Sequence, residues 1–191
     1  MNPTHPSPDP AGFALADACC TGDRQAQREL WGKYKNRMFG VCLRFAASRQ
    51  EAEDLLQEAF LRVFQDIGQY RGEGSLEGWV RRIVLRTCLG YLQKHHRLDT
   101  VTLEEEELEK ILQIKDQALA GTEDEPGRLV TLIQHLPPGF RAVLNLYVIE
   151  ERSHEEIARA LGITISTSKS QLNRAKAFLR RLVDKTLLLV L

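Results

Sequence analysis

Apolar residues recur at intervals of three and four along almost the whole chain, and hardly any stretch alternates between apolar and polar positions. This period is typical of amphipathic helices rather than of strands. Proline is confined to the ends of the chain and to the joints between periodic segments. The pattern therefore predicts an all-α protein, with helices at about 13–20, 24–47, 51–67, 76–97, 128–135 and 139–149 and two more between 153 and 182.

The segment 51–67 has a distinctly two-sided pattern. On a helical wheel its apolar face comprises Ala52, Leu55, Leu56, Ala59, Phe60, Val63 and Ile67. The opposite face places a leucine within an acidic and amide patch made of Asp54, Gln57, Glu58, Leu61 and Gln65. An ordinary solvated face with one stray leucine is the simpler interpretation. An apolar centre with a polar rim also suits docking onto a partner.

Residues 68–74, GQYRGEG, hold three glycines in seven positions and predict a loop. The loop carries Tyr70 and Arg71, an aromatic ring and a guanidinium that can stack on unpaired bases. Ser75 is placed to cap the next helix, which has Arg82 and Arg86 on its outer side. Solvated arginines without a ligand are the alternative for that side.

The stretch 153–182 has the pattern of a helix-turn-helix motif. Ser153 and Glu156 form a capping box, Gly162 allows a turn, and Thr164 can cap the second helix. The inward stripe of that helix is predicted as Ile165, Ser168, Leu172, Ala175 and Leu179. Its outward face holds Ser166, Thr167, Ser170, Asn173 and Arg174, with Lys169 and Lys176 on the flanks. Short polar residues that can approach base edges, flanked by cations that can reach phosphates, suit a helix in the major groove.

The formal net charge is zero, but the charges are segregated along the chain. Residues 24–97 carry 14 basic and 8 acidic side chains, and residues 152–185 carry 8 basic and 3 acidic ones. Between them, residues 99–125 hold 10 acidic side chains against two lysines. Two basic modules flanking an acidic connector favour a polyanionic partner such as nucleic acid.

Several functional classes are disfavoured by composition and motif content. The longest apolar run, 187–191, is far shorter than the roughly 20 residues of a membrane-spanning helix. The first ten residues lack a secretory signal, so a cytoplasmic protein is expected. The four cysteines lack metal-ligand spacing, which favours burial over zinc binding or disulfides: Cys19, Cys20, Cys42 and Cys88. Without a phosphate-binding glycine loop or a paired nucleophile and base, we expect no enzyme, cofactor or metal.

Together the two modules resemble the bacterial RNA polymerase sigma factors of the extracytoplasmic-function (ECF) group, which keep only sigma regions two and four. EAEDLLQEAFLRVF looks like the helix that binds core polymerase, and YRGEGSLEGWVRRIV looks like the segment that melts the promoter and reads the minus-ten element. The stretch from LPPGF to FLRRL looks like region four. The predicted organisation is a disordered tail at 1–10, region two at 11–98, an acidic linker at 99–127, region four at 128–185 and an apolar tail at 186–191.

The resemblance also implies three sets of binding residues. The clamp helices of the polymerase's largest subunit would contact Asp54, Gln57, Glu58 and Leu61. The unpaired non-template strand of the minus-ten element would contact Tyr70, Arg71, Trp79, Arg82 and Arg86. The minus-thirty-five element would contact Thr167, Lys169, Ser170, Asn173 and Arg174. The remainder of region four would rest on the polymerase flap, and an anti-sigma factor is implied as a regulator.

Three positions depart from the family pattern. Ser168 stands where Val is usual, and we expect its hydroxyl to bond back to the carbonyl of Thr164. Gln171 replaces a frequent Arg, and Arg86 stands where Asn is common. These changes bear on promoter binding, and those at Ser168 and Gln171 leave open a sigma-like decoy that only sequesters an anti-sigma factor. A helix-turn-helix repressor independent of the polymerase is a further alternative, and it would not need the face around Leu61.

The acidic connector supports one further hypothesis, that its carboxylates at Glu104–Glu107 shield a basic surface, either of the polymerase channel or of the free protein. A solvated spacer is the alternative. For the apolar ending at 187–191, the options are an extended last helix, a contribution to the core, or contact with a regulator.

Overall fold

A computed structural model describes residues 9–95, 98 and 125–188, and within them every regular element is helical. This confirms the all-α class. In chain order the helices are α1 (Pro10–Cys20), α2 (Arg24–Phe45), α3 (Arg49–Asp66), α4 (Leu76–His95), α5 (Glu125–Gln134), α6 (Pro138–Leu144), α7 (His154–Leu161) and α8 (Ile165–Leu188). A 3-10 turn at Ile67–Gln69 follows α3, and a π-helical turn at Asn145–Ile149 follows α6.

The chain forms two compact units, which we name the first and the second unit. The first unit lies within residues 1–42 and 49–88, and the second within residues 43–48 and 89–191. The carboxyl-terminal ends of α2 and α4 therefore belong to the second unit, together with α5 to α8. These units are drawn differently from the predicted domains 11–98 and 128–185, whose boundaries stay a prediction.

In the first unit, α3 supplies an apolar stripe to the core. All seven residues of the predicted inner face are buried, from Ala52 through Phe60 to Ile67. Trp31 of α2 packs edge-on against Phe60, with ring centroids 4.6 Å apart. Each such large apolar side chain contributes about 1.5–3 kcal/mol when fully buried. The amphipathic pattern of α3 therefore fixes which face is left for a partner.

The start of α1 differs from its prediction. The helix begins at Pro10 rather than near Phe13, because the Asp9 side chain caps it and Pro10 occupies a first-turn position that needs no N–H. Asp9 and Pro10 therefore belong to the start of α1, although the sequence prediction placed them in a disordered tail. Residues 1–8 lie outside the described part of the chain.

The core of the second unit is apolar around α6 to α8, where Phe140, Val143, Ile157, Leu172 and Phe178 are buried. The predicted helix at 139–149 is α-helical only to Leu144 and then widens into the π-helical turn. This turn leaves three apolar side chains exposed at its end, Tyr147, Val148 and Ile149.

The second unit also buries polar side chains that satisfy the carboxyl-terminal end of α2. Gln134 Nε2 donates to the carbonyl of Leu43 at 3.1 Å, and Asn145 Nδ2 donates to that of Arg44 at 2.6 Å. The guanidinium of the buried Arg141 donates to the carbonyls of Ala46 and Gln134. The last carbonyls of a helix lack intrahelical donors and carry its negative dipole end. These three side chains therefore form a cap, which we name the Arg141 cap.

Two sequence predictions about buried side chains are wrong, those for Ile165 and Cys20, and the burial of Gln171 was not predicted. Ile165 is 43% exposed instead of facing inward, because it occupies the first helical position of α8. Gln171 is fully buried, and its Nε2 donates to the Leu98 carbonyl at 2.6 Å. Cys20 is exposed at the end of α1, whereas the other three cysteines are buried as predicted.

The predictions for the acidic linker fall mostly outside the described residues, and those for Glu104–Glu107 do so entirely. The same holds for the side chains of the apolar tail at 186–191, where the backbone of α8 is described to Leu188.

Candidate polymerase and nucleic-acid interface

The exposed face of α3 is arranged as the wheel predicts. Asp54, Gln57, Glu58 and Leu61 are all exposed, and Leu61 is 64% exposed, the highest fraction among the exposed large apolar side chains described. Arg62 pairs with Glu58 at 2.5 Å across one helical turn. The face therefore offers an isolated apolar side chain surrounded by acceptors, on a helix whose other side is fixed in the core.

The loop after α3 is shaped by glycines at positive φ. Gly72 has φ of 76° and Gly74 has φ of 79°, a region that other residues rarely adopt. The hydroxyl of Tyr70 donates to the carbonyl of Gly74 at 2.7 Å, which closes the loop on itself. Burial raises the pKa of this phenol, and the nearby Asp9 carboxylate adds to the effect.

The ring of Tyr70 is not exposed in the way that stacking on an unpaired base requires. It is only 5% exposed, and its ring lies against Trp79 with centroids 5.9 Å apart. The loop predicted from the three glycines is present, but the ring that was expected to stack on unpaired bases is turned inward. Its neighbour Arg71 is exposed, and Trp79 is half-buried at the start of α4.

Arg82 and Arg86 are both exposed and lie one turn apart on α4. The Nε of Arg82 lies 3.4 Å from the carbonyl of Gly78, which holds the guanidinium close to the helix. The loop and the first eleven residues of α4 thus present three exposed arginines and one half-buried indole from a stretch of 16 residues.

Helices α7 and α8 form the predicted helix-turn-helix. Ser153 Oγ accepts from the backbone N–H of Glu156 at 3.2 Å, and Glu156 accepts from that of Ser153 at 2.9 Å, which completes the capping box. These bonds, together with Arg152, lower the pKa of Glu156. Gly162 turns the chain at φ of 69°. Thr164 then caps α8 by accepting from the N–H of Thr167 at 3.0 Å.

The predicted DNA-facing residues of α8 lie on its outer side to different degrees. Lys169, Asn173 and Arg174 are exposed, whereas Thr167 and Ser170 are half-buried. The hydroxyl of Thr167 lies 2.9 Å from that of Thr164 and is therefore occupied in the cap. The exposed cations and amide sit opposite the buried stripe of Leu172, Ala175 and Phe178.

Comparison with known proteins supports both modules. The family model described as "Sigma-70 region 2" matches residues 30–98, and the one described as "Sigma-70, region 4" matches residues 127–179. The ECF RNA polymerase sigma factor SigE of Mycolicibacterium smegmatis is 33% identical, over 94% of this chain and 70% of that one. The RNA polymerase sigma-H factor of Pseudomonas aeruginosa is 32% identical, over 91% and 92%. This chain is an ECF-family sigma factor.

A solved structure of CnrH in complex with the cytosolic domain of CnrY also aligns with this sigma factor. The alignment covers 92% of this chain and 98% of that chain, at 20% identity and a TM-score of 0.49.

Sequence reasoning missed a buried contact of the sigma factor's helix-turn-helix. Ser168 is fully buried, and its Oγ lies 2.9 Å from Nδ1 of His154 rather than serving the predicted bond to Thr164. The imidazole stacks on Tyr147 with centroids 4.7 Å apart. Burial lowers the pKa of His154, and Lys169 and Lys176 add to the effect. The departure from Val at 168 was visible in the sequence, but its partner 14 residues away was not.

Sequence reasoning also missed Asp9, which bonds to two helices in the first unit. The Asp-Pro pair at 9 and 10 is a helix-start signal that could have revealed its first contact. Among the described residues of the sigma factor, no group of three or more His, Cys, Asp or Glu side chains could hold a metal ion. In that same part of the chain, no helix has the length and apolarity needed to cross a membrane.

Proposed function

We propose that this sigma factor binds core RNA polymerase and directs promoter recognition, DNA melting and transcription initiation. The observation that carries the proposal is the pairing of two matched sigma modules, in family order, with an exposed leucine at the centre of the α3 face. In this proposal region two spans 11–98, the acidic linker 99–127 and region four 128–185.

The α3 face is proposed to dock onto the clamp helices of the polymerase. Leu61 would enter an apolar pocket, while Asp54, Gln57 and Glu58 would accept hydrogen bonds at the rim. A central apolar anchor with a polar rim is the usual arrangement of a protein interface.

The loop and α4 are proposed to hold the unpaired non-template strand of the minus-ten element. Arg71, Arg82 and Arg86 are exposed and can pair with phosphates or stack on bases, and Trp79 offers part of an aromatic face. Tyr70, which is buried, would contribute by supporting the loop. Capture of flipped bases offsets an unstacking cost of a few kcal/mol per base.

Helix α8 is proposed to read the minus-thirty-five element in the major groove. Asn173 can bond adenine in two places, and Arg174 and Lys169 can bond guanine or phosphate. Thr167 and Ser170 are shorter and half-buried, so they would contact the DNA backbone where it passes the amino-terminal half of the helix.

Such a protein acts by binding alone, so the proposal assigns it no catalytic residue and no cofactor, and it places the protein with the polymerase in the cytoplasm. An anti-sigma factor is proposed as its regulator. The decoy alternative drew on Ser168 and Gln171, and both are buried, which leaves the exposed surface of α8 unaffected by either departure.

The first test reconstitutes the protein with bacterial core polymerase and a pool of randomised promoter fragments. Specific transcript starts are expected, and their alignment would reveal both promoter elements. Polymerase binding without starts would favour the decoy, and absence of polymerase binding would contradict the proposal.

The second test replaces Leu61 with Asp and measures the affinity for core polymerase. A loss of about 2 kcal/mol or more is expected, as for a central interface residue. Phe13→Asp is the matched control, because Phe13 is also an exposed large apolar side chain, at 47%, and lies on α1, outside the α3 face. Equal effects of the two substitutions would exclude the α3 face as the specific docking site.

A further inference from the structure

One carboxylate in the first unit caps two helices. The Oδ1 atom of Asp9 accepts from the N–H of Gly12 at 2.8 Å, in the first turn of α1. Its Oδ2 atom accepts from the N–H of Leu76 at 2.9 Å, the first residue of α4. The first N–H groups of a helix have no intrahelical acceptor and form its positive dipole end. A negative charge shared by two such ends ties the two helices together.

The fit around this carboxylate is tight. A Cβ atom on Gly12 would lie 2.2 Å from Asp9 Oδ2 and 2.8 Å from the Cβ of Leu76. Only glycine therefore allows α1 to approach α4 with the carboxylate between them. The bonds from Leu76 and then Gly12 lower the pKa of Asp9, so the group is charged at neutral pH.

The same segment holds the loop that precedes α4. The backbone N–H of Asp9 donates to the carbonyl of Gly72 at 3.3 Å. The side chain of Phe13 packs against Gly72, within 3.3 Å of where a Cβ atom would be. Tyr70 in turn fixes Gly74 from inside the loop. The loop is thus held at its middle by the start of α1 and at its end by Tyr70.

We propose that Asp9 is a positioning residue for minus-ten recognition, holding the loop 70–74 and the amino-terminal end of α4 in the geometry in which Arg71 and Trp79 meet the single strand. This inference rests on the proposed function. A loop that is ordered before binding loses less conformational freedom on binding, and this raises affinity.

The test uses the protein assembled with core polymerase and a fluorescent single-stranded non-template oligonucleotide carrying the minus-ten sequence obtained from the transcription assay. Asp9→Ala is expected to weaken oligonucleotide binding about tenfold, the loss of roughly one capping interaction. Asp9→Asn keeps one side-chain acceptor oxygen and should fall between Asp9→Ala and the unchanged protein. Affinity for core polymerase is expected to stay unchanged in both variants.

Asp23→Ala is the matched control. Asp23 also caps a helix of the first unit, but its Oδ1 accepts from the N–H groups of Gln25 at 2.7 Å and Ala26 at 3.4 Å, both in its own turn. The Asp23→Ala variant is expected to bind the oligonucleotide with an affinity within twofold of that of the unchanged protein. Gly12→Ala provides a second route, since it displaces the carboxylate without removing it and should mimic Asp9→Ala.

A second readout follows the loop without DNA. Replacing Trp31 with Phe leaves Trp79 as the single tryptophan, whose ring lies beside Tyr70. Its fluorescence is expected to shift in the Asp9→Ala variant and not in the Asp23→Ala variant.

The outcomes are distinguishable. If Asp9→Ala behaves like Asp23→Ala, or if oligonucleotide and polymerase binding fall in parallel, Asp9 is a structural residue and the inference is overturned. If the unchanged protein binds polymerase but captures no single strand, the proposed function fails, and this inference fails with it.

Discussion

The two units of this sigma factor use polar side chains in different places. In the first unit, carboxylates and hydroxyls such as those of Asp9, Asp23 and Ser75 cap helices at or near the surface, over an apolar core. The second unit brings polar groups inside. Of the five buried polar side chains among the described residues, four lie there: Arg141, Asn145, Ser168 and Gln171.

The difference has an energetic consequence. Apolar burial is non-directional, so a core of this kind tolerates changes that keep its volume. A buried hydrogen bond is directional, and removing one partner leaves the other without water or a substitute. We therefore expect the second unit to depend on individual side chains more steeply than the first.

Replacing Arg141 with Ala is expected to have the largest effect. The change removes the donors for the carbonyls of Ala46 and Gln134 and leaves a cavity. The free energy of unfolding of the second unit should therefore fall by about 3–5 kcal/mol. Hydrogen exchange resolved by peptide would show faster exchange in α5 to α8 than in α3.

Two further variants sharpen that result. Arg159 is an exposed arginine on α7, so Arg159→Ala should change the free energy of unfolding by no more than about 0.5 kcal/mol. Arg141→Met restores apolar volume without the donors. If Arg141→Met is as stable as the unchanged protein, the Arg141 cap contributes no net stability, and the contrast between the units is wrong.

Removing the contact between His154 and Ser168 should lower the free energy of unfolding by an intermediate amount. A double-mutant cycle with alanine at both positions is expected to give a coupling of about 1 kcal/mol. Because the folded state lowers the pKa of His154, it binds fewer protons than the unfolded state. Its contribution is thus present above about 6.5, the ordinary histidine pKa, and declines as the pH falls below that value.

Denaturation curves between pH 5 and pH 7 would measure this dependence on the unchanged protein and on His154→Ala. The alanine variant should lose the part of the pH dependence that lies below about 6.5. Identical slopes in the two proteins would show that His154 does not titrate with folding.

Among the buried polar sites, Thr87→Val in the first unit should have the smallest effect. Thr87 is buried, but its hydroxyl bonds only to the Ile83 carbonyl one turn earlier on the same helix, at 3.0 Å. The carbonyl keeps its helical environment when the hydroxyl is removed, so we expect the free energy of unfolding to change by no more than about 1 kcal/mol. A loss above 2 kcal/mol by chemical denaturation would mean that the first unit also depends on buried polar groups.

Local patterns predicted much of the fold and of the candidate interface. The period of 51–67 placed Phe60 inside and Leu61 outside, and the capping box at Ser153 located the helix-turn-helix. The sequence did not show which side chains turn inward to partners outside their own turn. Tyr70 is turned inward against Trp79, and Gln171 is turned inward towards the Leu98 carbonyl, 73 residues away.

The sequence by itself determined the all-α class, the order of the two sigma modules and the faces of α3, because helical period and capping depend on residues within one or two turns. Tertiary structure alone decided that Asp9 joins α1 to α4 and that Arg141 and Asn145 cap the end of α2. Backbone groups at helix ends need partners but do not specify which ones. The fold supplies whichever side chains it brings within hydrogen-bond distance.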